Sequence, residues 1–200
     1  MKKLLIATRS KGKFPEIVEL LDGLPCEFLN INDVDLPSDF DVEETAMTFE
    51  GNAIIKAMTL GKKTGLLVLA DDSGLEIDAL DGRPGVFTAR YAPGTDEDRY
   101  MKVLGELEGV SEDKRTARFV AVIAIYDPVT DRVRTCTGSY NGIIAKDPVG
   151  EGGFGYDPIF YNVELGKTNA ELTTEEKNAV SHRGKAMRAA REILEKEFLQ

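Results

Sequence analysis

Two adjacent carboxylates are the residues in this sequence best suited to chemistry. Asp71 and Asp72 follow an apolar run, residues 66–70, and precede Ser73 and Gly74. Neighbouring carboxylates repel each other unless a cation or hydrogen-bond donors compensate. At the mouth of a sheet, where α/β proteins usually bind ligands, the pair predicts a cation-assisted site. The alternative is an ordinary turn. In extended backbone the two side chains point to opposite faces, so one would be central and the other would brace the loop.

A basic turn near the N-terminus is a candidate anion site. It lies between an apolar run, residues 3–7, and a stretch with helical spacing, residues 14–21. Backbone N–H groups at a helix start favour anions, and Lys and Arg strengthen that preference. The turn lacks the glycine spacing of a Walker A loop, and a basic surface turn explains it equally well. Its residues are Thr8, Arg9, Ser10, Lys11, Gly12 and Lys13.

Residues 150–158 combine glycines with aromatic side chains. Four glycines surround Phe154 and Tyr156, and Asp157 follows. Glycine lets the backbone approach a ligand closely, and an aromatic ring offers a flat face to a nucleotide base. The alternative is structural: the glycines would relieve a tight crossing while the aromatic rings fill the core.

Metal-ligating and nucleophilic side chains are scarce. The chain has one histidine, His182, and two cysteines, Cys26 and Cys136. A zinc site of the Cys/His kind cannot be assembled from these residues, so a metal would be held by carboxylates, which favours Mg²⁺ or Mn²⁺. Two reduced thiols are expected. His182 is followed by Arg183 at a predicted helix start that suits polar or anionic groups, although a lone histidine is commonly structural.

The charge is distributed unevenly. The net charge of −10 disfavours binding of a nucleic-acid polymer. Residues 1–13 and residues 177–191 contain five basic residues each and no acid, whereas residues 27–50 carry eight acids and no base. Residues 71–81 add five more acids. Solvated surfaces explain any one of these segments, but together they suit a phosphate site with a carboxylate-held cation.

The elements that would position these residues alternate between strand and helix. The predicted strands are residues 3–7, 27–31, 66–70, 76–80, 116–126 and 132–145, the last two forming a hairpin. The predicted helices are residues 14–21, 47–63, 96–107, 173–180 and 181–198, with a capping box between Thr173 and Glu176. This order predicts an α/β fold with a mixed sheet in a single domain, residues 1–200.

Composition is typical of a soluble globular protein. Hydrophobic residues make up 42% and charged residues 30%, as in ordinary globular proteins. The apolar runs are far shorter than the roughly 20 residues that span a bilayer. The N-terminus resembles a signal peptide only briefly, because its apolar stretch, residues 4–7, is too short. A cytoplasmic protein with no membrane partner is therefore expected.

Three blocks of sequence resemble the inosine triphosphate pyrophosphatase family, the XTP/dITP diphosphatases. The first runs from Ala-Asp-Asp-Ser-Gly-Leu at residues 70–75 to Gly-Arg-Pro-Gly-Val at residues 82–86 and Thr-Ala-Arg-Tyr at residues 88–91. The second is Gly-Gly-Phe-Gly-Tyr-Asp-Pro at residues 152–158. The third joins Glu-Lys at residues 176–177 to Ser-His-Arg at residues 181–183. The resemblance extends over essentially the whole chain.

The resemblance implies a fold and a reaction. The fold would be an elongated, two-lobed α/β structure with a central mixed sheet flanked by helices, assembled as a homodimer. The reaction would be hydrolysis of non-standard purine nucleoside triphosphates, such as ITP, dITP, XTP and dXTP, to the monophosphate and pyrophosphate. Mg²⁺ would be the cofactor, and the biological role would be to cleanse the nucleotide pool.

The resemblance also implies residue roles. Asp72 would bind Mg²⁺ and accept the proton of the attacking water, and Glu44 would be the second metal ligand, with Glu43 beside it leaving the register open. Residues 8–13 would hold the triphosphate. The remaining substrate contacts would be Lys56, Ser73, Phe154, Gly155, Tyr156, Asp157, Lys177, His182 and Arg183.

One position departs from the family pattern. Ser10 stands where the family usually has Asn, and serine has a shorter reach. Two alternative functions remain open on the sequence: a Maf-like pyrophosphatase for pyrimidine or modified nucleotides, and a nucleotide-binding module without catalysis. The intact Asp71–Asp72 pair favours an enzyme over the latter.

Overall fold

The computed structural model describes residues 1–10, 12–37 and 40–200. Lys11, a predicted substrate contact, lies outside the described residues, as do Ser38 and Asp39. The strands are β1 (Lys2–Ile6), β2 (Cys26–Asn30), β3 (Leu67–Ile77), β4 (Thr116–Asp127), β5 (Arg132–Ile144), β6 (Phe160–Asn162) and β7 (Lys167–Thr168). The helices are α1 (Lys13–Leu20), α2 (Phe49–Thr64), α3 (Asp96–Glu106), α4 (Thr174–Val180) and α5 (His182–Ile193).

The seven strands form one mixed sheet in the order β2-β1-β3-β4-β5-β6-β7. Strand β1 pairs in parallel with β2 and β3, whereas β6 pairs antiparallel with β5 and β7. In β1, consecutive residues Leu4, Leu5 and Ile6 are all buried, as expected where both faces of a parallel sheet are covered. The predicted α/β fold with a mixed, helix-flanked sheet is confirmed.

Strand β3 is longer than predicted. The sequence predicted separate strands at residues 66–70 and 76–80, and this was wrong. Leu67–Ile77 is one continuous strand, and Asp78–Leu80 forms a 3₁₀ turn. The strand continues because Leu75 and Ile77 are fully buried and because Asp71 has cationic partners, described below. Long-range contacts have overridden the turn preference of Asp, Ser and Gly.

Helix ends follow local hydrogen bonds. Helix α2 begins at Phe49 rather than at residue 47, because Thr48 Oγ1 accepts the N–H of Gly51 and caps the helix. The predicted capping box of Thr173 and Glu176 at α4 is confirmed. The last helix, predicted to reach residue 198, ends at Ile193 and continues as a π-helical turn, Leu194–Phe198.

The chain divides into two compact units, each with its own apolar core. The first unit comprises Met1–Asp72, Ala121–Gly138 and Arg183–Gln200, and the second comprises Ser73–Val120 and Ser139–His182. The first core includes Leu4, Ile6, Ile17, Leu69, Ile123, Ile125, Met187 and Leu194. The second includes Leu75, Ile77, Val103, Phe119, Tyr140, Tyr156, Ile159 and Phe160. A single domain over residues 1–200 stays a prediction.

Two further sequence expectations concern thiols and membranes. Both cysteines are free thiols, Cys26 buried and Cys136 half-buried. Among the described residues, no helix has both the length and the apolar character needed to cross a membrane.

Candidate active site

Asp71 is the centre of a buried ion-pair network in the first unit. Its Oδ2 lies 2.8 Å from Lys13 Nζ on α1 and 3.5 Å from Arg183 Nη2 on α5. Arg183 Nη1 lies in turn 3.1 Å from Glu16 Oε2. We call Lys13, Glu16, Asp71 and Arg183 the buried network. It joins α1, β3 and α5 through charge-assisted contacts.

Neighbouring charges outweigh burial in setting the pKa values of this network. Burial alone would raise the pKa of Asp71, but Lys13 and Arg183 outweigh it and hold this pKa well below its usual range. Burial would lower the pKa of Arg183, but Asp71 and Glu16 raise it above its ordinary value. Asp71 is thus ionised, and its carboxylate forms ion pairs with Lys13 and Arg183.

Asp72 takes part in a different group of charges. Lys56 Nζ, from α2, lies 2.7 Å from Glu44 Oε1 and 3.7 Å from Asp72 Oδ1. The same ammonium donates to the backbone carbonyl of Asp71 at 2.9 Å. We call Glu44, Lys56 and Asp72 the acidic group. The structure therefore brings Glu44 to the same lysine as Asp72, whereas Glu43 is exposed.

The pKa of Asp72 is raised to about 6. Burial is the largest cause; Lys56 opposes it, while the charges of Glu44 and Asp71 add to it. Lys56 has a raised pKa because Glu44 and Asp72 outweigh the effect of its burial. A carboxyl group with a pKa near neutrality is well suited to general acid–base chemistry.

Two buried side-chain atoms beside the acidic group lack a hydrogen bond of normal geometry within the described part of the chain. They are Asp72 Oδ2 and Asn52 Nδ2. Asn52 is fully buried in α2, where its Oδ1 accepts the N–H of Ala46 at 2.9 Å. The Asn52 amide nevertheless interacts with the Asp72 carboxyl and lowers its pKa, so the two atoms are neighbours that fall short of normal hydrogen-bond geometry. Asp72 Oδ2 therefore keeps capacity for a ligand.

The donor set fits a magnesium ion. Mg²⁺ prefers hard oxygen ligands and is commonly held by one or two carboxylates, with waters and substrate phosphates completing the shell. Glu44 and Asp72 supply two carboxylates, both close to the Lys56 ammonium, and Asp72 Oδ2 makes no hydrogen bond of normal geometry to the described residues. Over residues 1–10, 12–37 and 40–200 there is no cluster of three or more His, Cys, Asp or Glu side chains that could hold a metal by itself.

The turn between β1 and α1 is closed by its own hydroxyl groups. The N–H of Ser10 donates to Thr8 Oγ1 at 3.1 Å, and the N–H of Lys13 donates to Ser10 Oγ at 3.3 Å. Thr8 is buried, whereas Arg9 is exposed and donates to the carbonyl of Phe40. Gly12 directly precedes α1. Ser10 thus supports the helix start: its Oγ accepts the N–H of Lys13 and its carbonyl accepts the N–H of Phe14. Pro15 has no N–H, so contacts to an anion at this turn would come mainly from side chains.

The glycine-rich segment, residues 150–158, lies in the second unit, and we call it the glycine loop. Asp157 is buried and its Oδ2 accepts from Lys177 Nζ at 2.6 Å and from the N–H of Phe154 at 2.8 Å. The Lys177 ammonium also lies 4.5 Å from the centre of the Phe154 ring. Phe154 is 47% exposed, so one aromatic face is presented outside the core. Tyr156, in contrast, is a core residue.

His182 and Ser73 occupy supporting positions in the second unit. The His182 ring is buried and stacks on Phe119, with centroids 4.9 Å apart and planes 14° from parallel. Ser73 follows Asp72 in β3, so its side chain points to the other face of the strand. Arg183, predicted to contact the base, is only 2% exposed and is held in the buried network.

Three polar residues that the motifs did not indicate support these groups. Asn52 lies by the acidic group, and Asn169 Nδ2 donates to Asp157 Oδ1 at 3.3 Å. Asp96 Oδ2 accepts the N–H of Gly155 at 2.7 Å. Asn52 could have been suspected from a polar residue on the apolar face of a predicted helix. The other two contacts join distant parts of the chain and leave no local signal.

The chain is similar to known sequences over almost its full length. The Ham1 family model matches residues 4–193. The dITP/XTP pyrophosphatase of Desulforamulus reducens is 50% identical over 199 residues, which cover 98% of each chain. The dITP/XTP pyrophosphatase of Bacillus subtilis is 44% identical over 98% of each chain.

Solved structures show the same likeness. A HAM1 protein from Coxiella burnetii superimposes with a TM-score of 0.90 at 44% identity, over 98% of this chain and all of that one. A dITP/XTP pyrophosphatase from Mycobacterium abscessus gives a TM-score of 0.78 at 42% identity, over 94% of this chain and 98% of that one. The resemblance indicated by the three motif blocks is thereby confirmed: this chain belongs to the Ham1 family.

Proposed function

We propose that this chain hydrolyses dITP, ITP, XTP and dXTP to the nucleoside monophosphate and pyrophosphate. The observation that carries the proposal is the acidic group, where a buried carboxylate with an open oxygen and a raised pKa lies beside a lysine and a second carboxylate. Relatives that are 44–50% identical and are named dITP/XTP pyrophosphatases support the substrate class.

Asp72 is the proposed base. Hydrolysis requires water to add at phosphorus while the bridging P–O bond breaks and pyrophosphate leaves with its electron pair. Asp72 Oδ2 is open, and a pKa of about 6 leaves most of the carboxylate ionised at pH 7 while keeping it basic enough to take a proton. No histidine or thiol is needed for this step.

The negative charge of the triphosphate would be neutralised by lysines and by a Mg²⁺ ion that carboxylates hold. Lys56 and Lys13 are the proposed phosphate contacts, and each is held beside a carboxylate in the structure. Glu44 and Asp72 would hold Mg²⁺, which supplies charge neutralisation and orientation of the phosphate oxygens when bound. Thr8, Arg9, Ser10 and Gly12, in the basic turn before α1, complete the proposed phosphate contacts.

The glycine loop would select the purine. The exposed Phe154 ring offers a stacking face, and the Lys177 ammonium, held beside this ring and Asp157, supplies hydrogen-bond donors. Donors directed at a 6-oxo group would be left unpaired by the 6-amino group of adenine. Such a polar mismatch discriminates between substrates by up to about 10⁴-fold.

A substrate panel tests the proposal. Purified chain with Mg²⁺ should release pyrophosphate from ITP and XTP, with much slower turnover of ATP. Orthophosphate as the product, or equal rates with ITP and ATP, would contradict it. Preference for a pyrimidine or modified nucleotide would instead support a Maf-like activity, and binding without turnover would support a non-catalytic module.

We also propose the cytoplasmic homodimer that the family resemblance implies. Sedimentation at micromolar concentration should give about twice the mass of 22.0 kDa. A monomeric mass under the conditions of full activity would remove this part of the proposal.

A further inference from the structure

Three consecutive residues of the glycine loop are each fixed by a hydrogen bond to a different partner. The N–H of Phe154 donates to Asp157 Oδ2 at 2.8 Å, inside the loop. The N–H of Gly155 donates to Asp96 Oδ2 at 2.7 Å. The Tyr156 hydroxyl donates to the carbonyl of Thr88 at 2.8 Å. Two of the three anchors therefore lie outside the loop, and all of these residues belong to the second unit.

Asp96 is well placed to act as an anchor. It is the first residue of α3, whose start is fixed by a capping box between Thr95 and Asp98. Its Oδ1 pairs with Arg99 one turn later while its Oδ2 faces Gly155. The two oxygens thus have separate partners, and Arg99 and the Gly155 N–H together lower the pKa of Asp96 despite partial burial.

The loop needs such an anchor because its glycines restrict the backbone little. Gly153 and Gly155 adopt φ angles of +75° and +63°, a region that glycine enters freely alongside several others. Phe154 lies between them with its ring nearly half exposed. The orientation of this ring therefore depends on the Lys177 ammonium 4.5 Å from its centre and on the hydrogen bonds that fix the neighbouring backbone.

We propose that Asp96 is a positioning residue for purine selection, acting through the Gly155 N–H to fix the Phe154–Gly155 backbone. The inference rests on the proposed function, because it assigns the glycine loop to the base. Asp96 touches neither the substrate nor the reacting atoms; it limits the conformations from which the loop meets the base. Its removal should therefore weaken discrimination more than turnover.

The test compares Asp96→Ala with Asp96→Asn and Asp98→Ala. Asp96→Ala removes the acceptor and should lower the ratio of kcat/KM for ITP to that for ATP by about tenfold, mainly through a higher KM for ITP, as expected for one charge-assisted hydrogen bond that is partly exposed. Asp96→Asn keeps an acceptor oxygen and should restore most of the ratio. Asp98→Ala is the matched control, because it removes the capping box of the same helix without touching the loop.

Hydrogen exchange supplies a readout that does not depend on activity. The Gly155 amide should exchange faster in Asp96→Ala than in the unsubstituted chain, and Asp98→Ala should leave it protected. An unchanged ITP-to-ATP ratio in Asp96→Ala, or an equal loss in Asp98→Ala, would overturn the inference. If the unsubstituted chain releases no pyrophosphate from ITP, the proposed function fails instead, and the purine-selection role of Asp96 falls with it.

Discussion

Asp71 and Asp72 occupy adjacent positions of one strand, but their carboxylates face different partners. Asp71 contacts Lys13 and Arg183, whereas Asp72 shares Lys56 with Glu44 and keeps one oxygen open. The pKa values shift in opposite directions as a result, downward for Asp71 and upward to about 6 for Asp72. At pH 7 the lowered pKa of Asp71 therefore favours the folded state, whereas the raised pKa of Asp72, the proposed base, disfavours it.

Replacing Asp72 should therefore lower activity and raise stability. Asp72→Asn should lower kcat by about 10²–10⁴-fold, the usual contribution of a general base. It should also raise the free energy of unfolding at pH 7 by about 1–3 kcal/mol, since a pKa raised by about two units disfavours the ionised folded state. Because this pKa is raised, the cost of Asp72 appears as pH rises from about 4 to 6. Urea unfolding at pH 4 and pH 7 measures the free energy of unfolding at each pH, and steady-state kinetics measures kcat. Unchanged turnover would reject Asp72 as the base.

The same substitution one residue earlier should have the opposite effect on stability. Asp71→Asn removes the anion that compensates Lys13 and Arg183, so the free energy of unfolding at pH 7 should fall by about 3–5 kcal/mol. Because the pKa of Asp71 is lowered, its contribution is present above the unfolded value near 4 and is lost as pH falls below it. The difference between Asp71→Asn and the unsubstituted chain should therefore shrink in acid. An equal effect of the two substitutions on stability would contradict the assignment of separate roles.

At the level of elements, helix α2 positions the acidic group by packing closely on the sheet. Gly61 lies on this helix, and a Cβ there would come within 2.5 Å of Tyr126 Cδ1 on β4. The helix also carries Lys56 and Asn52, about one and a half and two and a half turns earlier. Gly61 thus permits the close approach that sets where the lysine lies.

Gly61→Ala tests this arrangement because two effects compete. Alanine gains about 1 kcal/mol over glycine in helix propensity, whereas overpacking a core contact costs about 1–3 kcal/mol. The clash is with a fully buried tyrosine ring, so a net loss of stability is expected. Gly65→Ala would not serve as a control, because Gly65 has a φ of +71°. Gly105→Ala in α3 is the matched control, since a Cβ there meets nothing within 4 Å, and it should be neutral or stabilising by urea unfolding.

The elements also show what the sequence could and could not predict. Hydrophobic spacing located α1, α2, α3 and the β4–β5 hairpin, because each follows from local periodicity. It failed at residues 71–74, where the residue types favour a turn but ion pairs to Lys13 and Arg183 hold a strand. It also missed Asp96, because a contact with Gly155, 59 residues away, leaves no local pattern.

The candidate site was recovered in part for the same reason. Asp71–Asp72, the basic turn and the glycine loop were recognisable from residue type alone. Glu44 and Lys56 were assigned only by resemblance to a family, and the structure places both by Asp72. Alternation along a strand predicted that one of the two aspartates would only brace the loop. That Asp71 is this residue, paired with Lys13 and Arg183, required the network that joins three elements.

At the scale of the whole molecule, the distribution of charge is more informative than its sum. The net charge of −10 argues against a polyanionic partner. Yet two basic residues, Lys13 and Arg183, contact Asp71 in the first unit. Two acidic residues, Glu44 and Asp72, both lie near Lys56. This separation suits a small triphosphate accompanied by a divalent cation better than a polymer.

Removal of the proposed Mg²⁺ should lower both the activity and the thermal stability of the protein. A chelator should abolish pyrophosphate release, and added Mg²⁺ should restore it. Mg²⁺ should also raise the midpoint of thermal unfolding of the unsubstituted chain by mass action. This shift should disappear in Glu44→Gln and Asp72→Asn but persist in Glu43→Gln, whose side chain is exposed. Full activity in the presence of chelator would contradict the proposed cofactor.

Pyrophosphate release measured side by side for ITP, XTP, ATP, GTP and UTP with Mg²⁺ tests the proposed reaction and substrate class together, with Asp72→Asn as the inactive reference. Pyrophosphate and monophosphate should form in equal amounts from ITP and XTP, kcat/KM for ATP should be much lower, and Asp72→Asn should give almost no product. Orthophosphate as the product, no preference between ITP and ATP, or an active Asp72→Asn variant would contradict it.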